Sequence, residues 1–188
     1  MQDQGVGFWA KAPSEGKIMS VVLTDPPLAE PVSLVEAKGH LRVGHGDEDA
    51  LISSLISVAT RMVEARTGLA LMPQGWRVFL DLWPEDGVVQ LPLAPIISVD
   101  EVRAGVVVSP ADYLVDGPGR RVLMLARPRP TKTLNGIEIA VTVGFGLVPA
   151  PLRQAILQLV AHWFENRGAS DAPLTVASLV GPYRELRL

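Results

Sequence analysis

The hydrophobic period of this chain changes twice along its length, and that change limits what it can fold into. From Leu71 to Gly146 apolar residues recur at every second position. Trp76, Val78, Leu80 and Leu82 alternate with Arg77, Phe79 and Asp81; later Ile137, Ile139, Val141, Val143 and Phe145 alternate with Glu138, Ala140 and Thr142. A period of two lines one face of a pleated strand. On both sides of this block the spacing is three and four, which lays an apolar stripe along a helix. The expected class is α+β: a short helix, a long helix and a C-terminal helix, with an antiparallel β meander inserted between the second and the third.

The C-terminal helix is bounded by its own residues, PLRQAILQLVAHWFENRG. Pro151 suits a first helical position, where its missing N–H has no partner to lose, and Gly168 suits the left-handed residue just past the end. Leu152, Ile156, Leu159, Val160 and Trp163 form one stripe, and Ala155, Leu157, Ala161 and Phe164 widen it around the cylinder. A helix apolar on more than one side needs more than one neighbour.

Upstream, Ser33 to Val43 opens with Ser33 and Glu36 in the spacing of a capping box, with Leu34, Ala37 and Leu41 as its stripe. Gly44-His45-Gly46 breaks it. Asp47, Glu48 and Asp49 then put negative charge at the positive end of the next helix. Being consecutive, they point to different sides and lack the spaced ligands of a calcium loop. The long helix, residues 48–67, spans about 28 Å at 1.5 Å per residue. Its seam is read as Leu51, Leu55, Val58 and Met62, with Ile52, Ala59 and Val63 beside it, and Ser53, Ser54, Ser57 and Ala59 leave room for another backbone. Leu51, Leu55, Val58, Met62, Ile156, Leu159 and Trp163 are expected in the core or at a contact between subunits.

Between the clear strands lie shorter candidates at Val88–Leu91, Ile96–Arg103, Val106–Val108, Tyr113–Val115 and Arg121–Leu125, separated by proline- and glycine-rich turns. Such turns join antiparallel neighbours, since parallel pairs need long crossovers. Residues 1–17 show no sustained period around Phe8 and Trp9, with Met19 as an alternative start, and Val21 to Val32 is proline-rich and is expected to be an extended arm that connects rather than packs. The boundaries expected are an extension at 1–31, a domain at 32–168 with its β insertion at 71–146, and a C-terminal arm at 169–188. That arm carries Leu174, Val176, Leu179, Val180, Tyr183, Leu186 and Leu188, too apolar for a solvated tail and too short to fold alone.

Composition narrows the chemistry. With 48% hydrophobic residues in 188, the chain can bury a real core, and a net charge of -3 gives no overall pull toward nucleic acid or anionic lipid. There is no cysteine, so disulfides, thiolate zinc sites and cysteine nucleophiles are excluded. No apolar run reaches the ~20 residues of a membrane span. His40, His45 and His162 are scattered, and no P-loop, G-x-S-x-G or G-x-G-x-x-G occurs. No cofactor, metal or catalytic constellation is expected. One regional surplus stands out: Arg103, Arg120, Arg121, Arg127, Arg129 and Lys132 face only Asp112 and Asp116 over the same stretch, which would suit phosphates or an acidic partner.

Taken in order, SLVEAKGHLRVGHGDEDALISSLISVATRMVEARTG, then QGWRVFLDLWP, LPLAPIISVDEV and SPADYLVD, then VTVGFGLVPAPLRQAILQLVAHWFENRG and a closing GPYR resemble the head–tail connector (head-completion adaptor) proteins of long-tailed phages and gene transfer agents. The resemblance spans Val32 to Arg184. It implies a structural protein and not an enzyme, made in the bacterial cytoplasm and placed in the neck between head and tail. A ring, generally of twelve subunits, would sit beneath the portal protein, extend the DNA channel without reading sequence, and offer a platform to a stopper or tail-completion protein. The C-terminal arm would dock on the portal through Leu174, Leu179, Val180, Tyr183, Arg184 and Leu186. The alternatives are another neck component, such as a stopper or tail-completion protein, and a DNA-binding packaging factor.

Overall fold

The computed structural model describes residues 18–117, 120–125, 134–166 and 171–184. Four helices are present among them: α1 (Leu34–Leu41), α2 (Asp49–Thr67), α3 (Ala150–Glu165) and α4 (Leu174–Val180). The strands are β1 (Ile18–Asp25), β2 (Gln74–Leu80), β3 (Val88–Gln90), β4 (Ile96–Ala104), β5 (Val106–Val107), β6 (Tyr113–Asp116), β7 (Arg121–Met124) and β8 (Ile137–Val143). The class is α+β, with helices on both sides of the strand block.

The helices share one core. Ile52, Ile56, Ala59 and Val63 of α2 meet Leu152, Ala155, Ile156, Leu159 and Val160 of α3, and Val176 and Val180 of α4 close over them. Ser33 caps α1 by accepting from the Glu36 N–H at 3.2 Å. The second half of the capping box is not used, because the Glu36 carboxylate turns outward and takes Arg153 Nη2 at 2.7 and 2.6 Å, joining α1 to the first turn of α3. Lys38 Nζ, 2.6 Å from Asp49 Oδ1, joins α1 to the start of α2. Asp49 thus adds both dipole charge and an ion pair, while Glu48 makes no side-chain cap.

The buried line of α2 differs from the seam read in sequence. It runs through Ile52, Ile56, Ala59, Thr60, Val63 and Thr67, whereas Leu51 and Val58 are 38% and 51% exposed. The helix is rotated because two threonines can be buried at little cost. Thr60 Oγ1 donates to the Ile56 carbonyl at 2.9 Å and Thr67 Oγ1 to that of Val63 at 2.8 Å, so neither hydroxyl is left unpaired.

The strands form two antiparallel sheets, ordered β1-β2-β8-β4-β5 and β3-β7-β6. This is not a simple meander: β8 returns from far along the chain to lie between β2 and β4. Burying Ile137, Ile139, Val141 and Val143 in the centre of the sheet explains the insertion, since a strand with one continuous apolar face gains most where both edges are paired. The segment from 18 to 25, expected as a connecting arm, is an edge strand registered along β2 from Ile18↔Leu80 to Asp25↔Gly75. Both sheets contribute to one core, in which Val78, Leu80, Val102 and Ile139 face Val89, Tyr113, Val122 and Met124. Trp83 is buried with them, its Nε1 donating to the Gly87 carbonyl at 2.6 Å.

The chain crosses between the two cores first at 26–32, where β1 leads to Val32 of the helical core, and then twice more, side by side. On the outward passage Ala70 belongs to the β core and Leu71 to the helical core; on the return Val143 belongs to the first and Val148 to the second. The passages are tied by Phe145 N–H to the Leu71 carbonyl at 3.3 Å and Gly144 N–H to that of Pro95 at 2.9 Å. Gly144, at φ +127°, lies so close to Met72 that a Cβ would stand 2.3 Å from its carbonyl oxygen. Gly144→Ala is therefore expected to destabilise the protein by about 3 kcal/mol or more in urea unfolding. Val176→Ala and Val180→Ala are expected to cost about 1–3 kcal/mol each, because α4 is part of the core; unchanged unfolding midpoints would show the tail to be detached.

Candidate functional site

Among the described residues no cluster of three or more His, Asp or Glu side chains is placed to hold a metal ion, and no helix is long and apolar enough to cross a membrane. The candidate sites are therefore surfaces. The structure sorts the seven helix residues read as core or subunit contact into three groups. Ile156 and Leu159 are fully buried; Leu55, Met62 and Trp163 are half-buried against the same core; Leu51 and Val58 face out.

Along the outward side of α2, Ala50, Leu51, Ser53, Ser54 and Val58 are exposed, and no residue from Ala50 to Thr60 is charged. Charge appears only at its ends. Asp49 is held by Lys38, and Arg61 Nη1 is paired with Glu64 at 2.8 Å. Ser57 donates to Glu30 Oε1 at 2.6 Å, which holds the preceding loop beside the helix, and in that loop Leu28 is wholly exposed. The surface has an apolar and hydroxyl centre with a charged rim. Its signal in sequence was the charge-free run itself, which the search for an apolar stripe did not weigh.

The C-terminal residues split as well. Val180 is 2% exposed and lies in the helical core with Val176, while Leu179 and Tyr183 are half-buried against it. These residues, expected to dock on another protein, are covered by their own chain in this conformation, because α4 folds back on α3 and α2. Leu174, 88% exposed, and Arg184 remain on the surface. Leu186 lies outside the described residues.

The basic stretch is not brought together as one free patch. Arg103, on β4, pairs with Glu101 at 2.7 Å, and that hydrogen bond and charge raise its guanidinium above the ordinary value. Arg121, on β7 in the other sheet, is 2.5 Å from Asp116. Arg120 starts the same strand from a left-handed residue, φ 53°. Arg127, Arg129 and Lys132 lie outside the described residues. On the exposed face of the larger sheet Arg77 pairs with Glu138, and Asp100 accepts from the hydroxyls of Ser98 at 2.6 Å and Thr142 at 2.8 Å.

Helices α1 and α2 with strands β2 to β4 fall within residues 31–105, which match the family model of phage gp6-like head–tail connector proteins. The likeness to that family model is confined to this segment of the chain. Solved structures extend the likeness beyond this segment. A chain from the neck of an empty gene transfer agent particle, computed with C6 symmetry, is 29% identical, covers 90% of this chain and 97% of its own, and superposes with a TM-score of 0.75. Chains from the neck of a native particle with C12 symmetry and from the virion of a native gene transfer agent are 28% and 27% identical over the same shares, with TM-scores of 0.74 and 0.73. No curated protein matches the chain.

The exposed and buried faces of α2 are expected to respond differently to substitution. Leu51→Ser and Val58→Ser should leave urea unfolding within about 0.5 kcal/mol of wild type. Ile52→Ala and Ile56→Ala should each cost about 2–5 kcal/mol. Equal losses on both faces would contradict the rotation of the helix.

Proposed function

We propose that the protein is a structural head–tail adaptor in the neck of a phage-like particle, where copies of it form a ring of twelve beneath the portal, extend the DNA channel and present a platform to the stopper or tail. The observation that carries this is the match to neck chains of gene transfer agent particles over 90% of this chain and 97% of theirs, at 28 to 29% identity. Two physical features are consistent with it. The arginines Arg77, Arg103 and Arg121 on the described strands are ion-paired, as expected of a surface that meets passing DNA without gripping its phosphates. Helix α2 keeps apolar side chains in solvent, as a subunit does before assembly.

The portal contact proposed here is the outer surface of 174–184, through Leu174 at the start of α4 and Arg184 just past the turn that follows it. Removing the whole tail would test folding and docking together, since Val176 and Val180 are core residues. Surface changes separate them. Leu174→Asp combined with Arg184→Glu is expected to keep the wild-type melting temperature within about 2 °C and to lose binding to tailless, portal-bearing heads in a pull-down. Undiminished binding would refute the portal contact. Binding of the wild-type protein to isolated tails, and not to heads, would make it a stopper or tail-completion component instead.

A further inference from the structure

We infer that the outward face of α2, from Ala50 to Val58 together with Leu28, is the surface on which one copy of this chain seats the next. The inference rests on the ring reading above and names the contact that builds it. A free helix of 19 residues normally keeps charge on its solvent side, which holds it in water. Here the solvent side of the first half is Ala50, Leu51, Ser53, Ser54 and Val58 over about two and a half turns.

Three features fit burial of this face against a neighbouring protein. The serines are short, so a neighbouring backbone can approach closely, and their hydroxyls can find partners in it. Leu51 and Val58 provide apolar area on the helix, and Leu28 adds to it from the loop that Glu30 ties to Ser57. The pairs Lys38–Asp49 and Arg61–Glu64 stand at the two ends, already neutralised, so burial of the centre traps no lone charge. The occupant is a second copy because the similar chains stand in necks of C6 and C12 symmetry, where each copy has an identical neighbour on either side. Such a contact is head-to-tail: the α2 face meets an unlike surface of the next copy and leaves that copy's own α2 face free for a third.

Sedimentation of the full chain over a range of concentrations tests this. Wild type is expected to associate as concentration rises. Val58→Arg and Ser54→Trp should weaken association about tenfold or more, while their thermal unfolding stays at the wild-type value. Val58→Ser, which removes apolar area without adding bulk or charge, should fall between. Association of Val58→Arg and Ser54→Trp indistinguishable from wild type would overturn the α2 contact and leave the ring reading standing. A wild-type chain that remains monomeric at every concentration would overturn both. Loss of binding to portal-bearing heads with self-association intact would assign the face to the portal, and the inference would fail.

Discussion

The close approach of Gly144 to Met72 holds the two halves of this protein together. A helical core and a β core each satisfy themselves, and the chain passes between them at 26–32 and, side by side, at 69–73 and 144–148. Two parallel passages act as a hinge unless something prevents bending. Here the absence of a Cβ at Gly144 lets the backbones lie in contact, and hydrogen bonds from Gly144 to Pro95 and from Ala70 to Ala94, 2.9 and 2.7 Å, fix both passages to a third segment. Glu64 adds a clamp from the helical side by accepting from the Leu71 N–H at 2.9 Å. Faces on the helices and faces on the sheets are therefore presented at a fixed angle, which any part of a symmetric assembly requires.

Much of this was legible in the residues and some of it was not, for identifiable reasons. The alternation in 137–143 and the punctuation by proline and glycine located seven of the strands, because period and turn chemistry are local properties. Strand β1 was missed: Pro26, Pro27 and Pro31 suggested a connector, yet they follow the strand, and only pairing with β2 makes the segment ordered. Sheet order was equally hidden, since the placement of β8 between β2 and β4 is a long-range choice. The stripe on α2 was read one position off because leucine and methionine were weighed above threonine. What decided the burial was two hydroxyls bonded back to carbonyls one turn earlier. The basic surplus was a count of charges along the chain, and pairing across strands and within them removed it at Arg103 and Arg121.

The apolar tail shows a different limit. Composition alone says that Val176, Leu179 and Val180 must be covered, and it cannot distinguish cover by the same chain from cover by another. The structure supplies the cover from α2 and α3. This leaves few groups of 174–184 outside, Leu174 and Arg184 among them, on a helix already packed against its own core in place of a segment that orders on binding. Rigid surfaces lose less conformational entropy on association.

The shape of the larger sheet bears on how copies can join. Its edges, β1 and β5, are both unpaired among the described residues, and an unpaired edge invites another strand. Neighbouring strands twist by about 20–25°, so the four steps from β1 to β5 accumulate roughly 80–100°, and a fifth step into the next copy would bring the rotation to about 100–125° per subunit. In a neck with C12 symmetry each copy turns by 360/12 = 30°. The two are incompatible: strand twist turns about the line along which strands stack and advances along it, so a sheet continued from copy to copy would wind into a filament and not close into a ring. A helix face carries no such built-in rotation, because side chains can pack at shallow crossing angles of about 20° as readily as at steeper ones. In the twelvefold ring proposed above, contacts through helices would avoid that rotation and leave the sheet edges to partners that do not repeat.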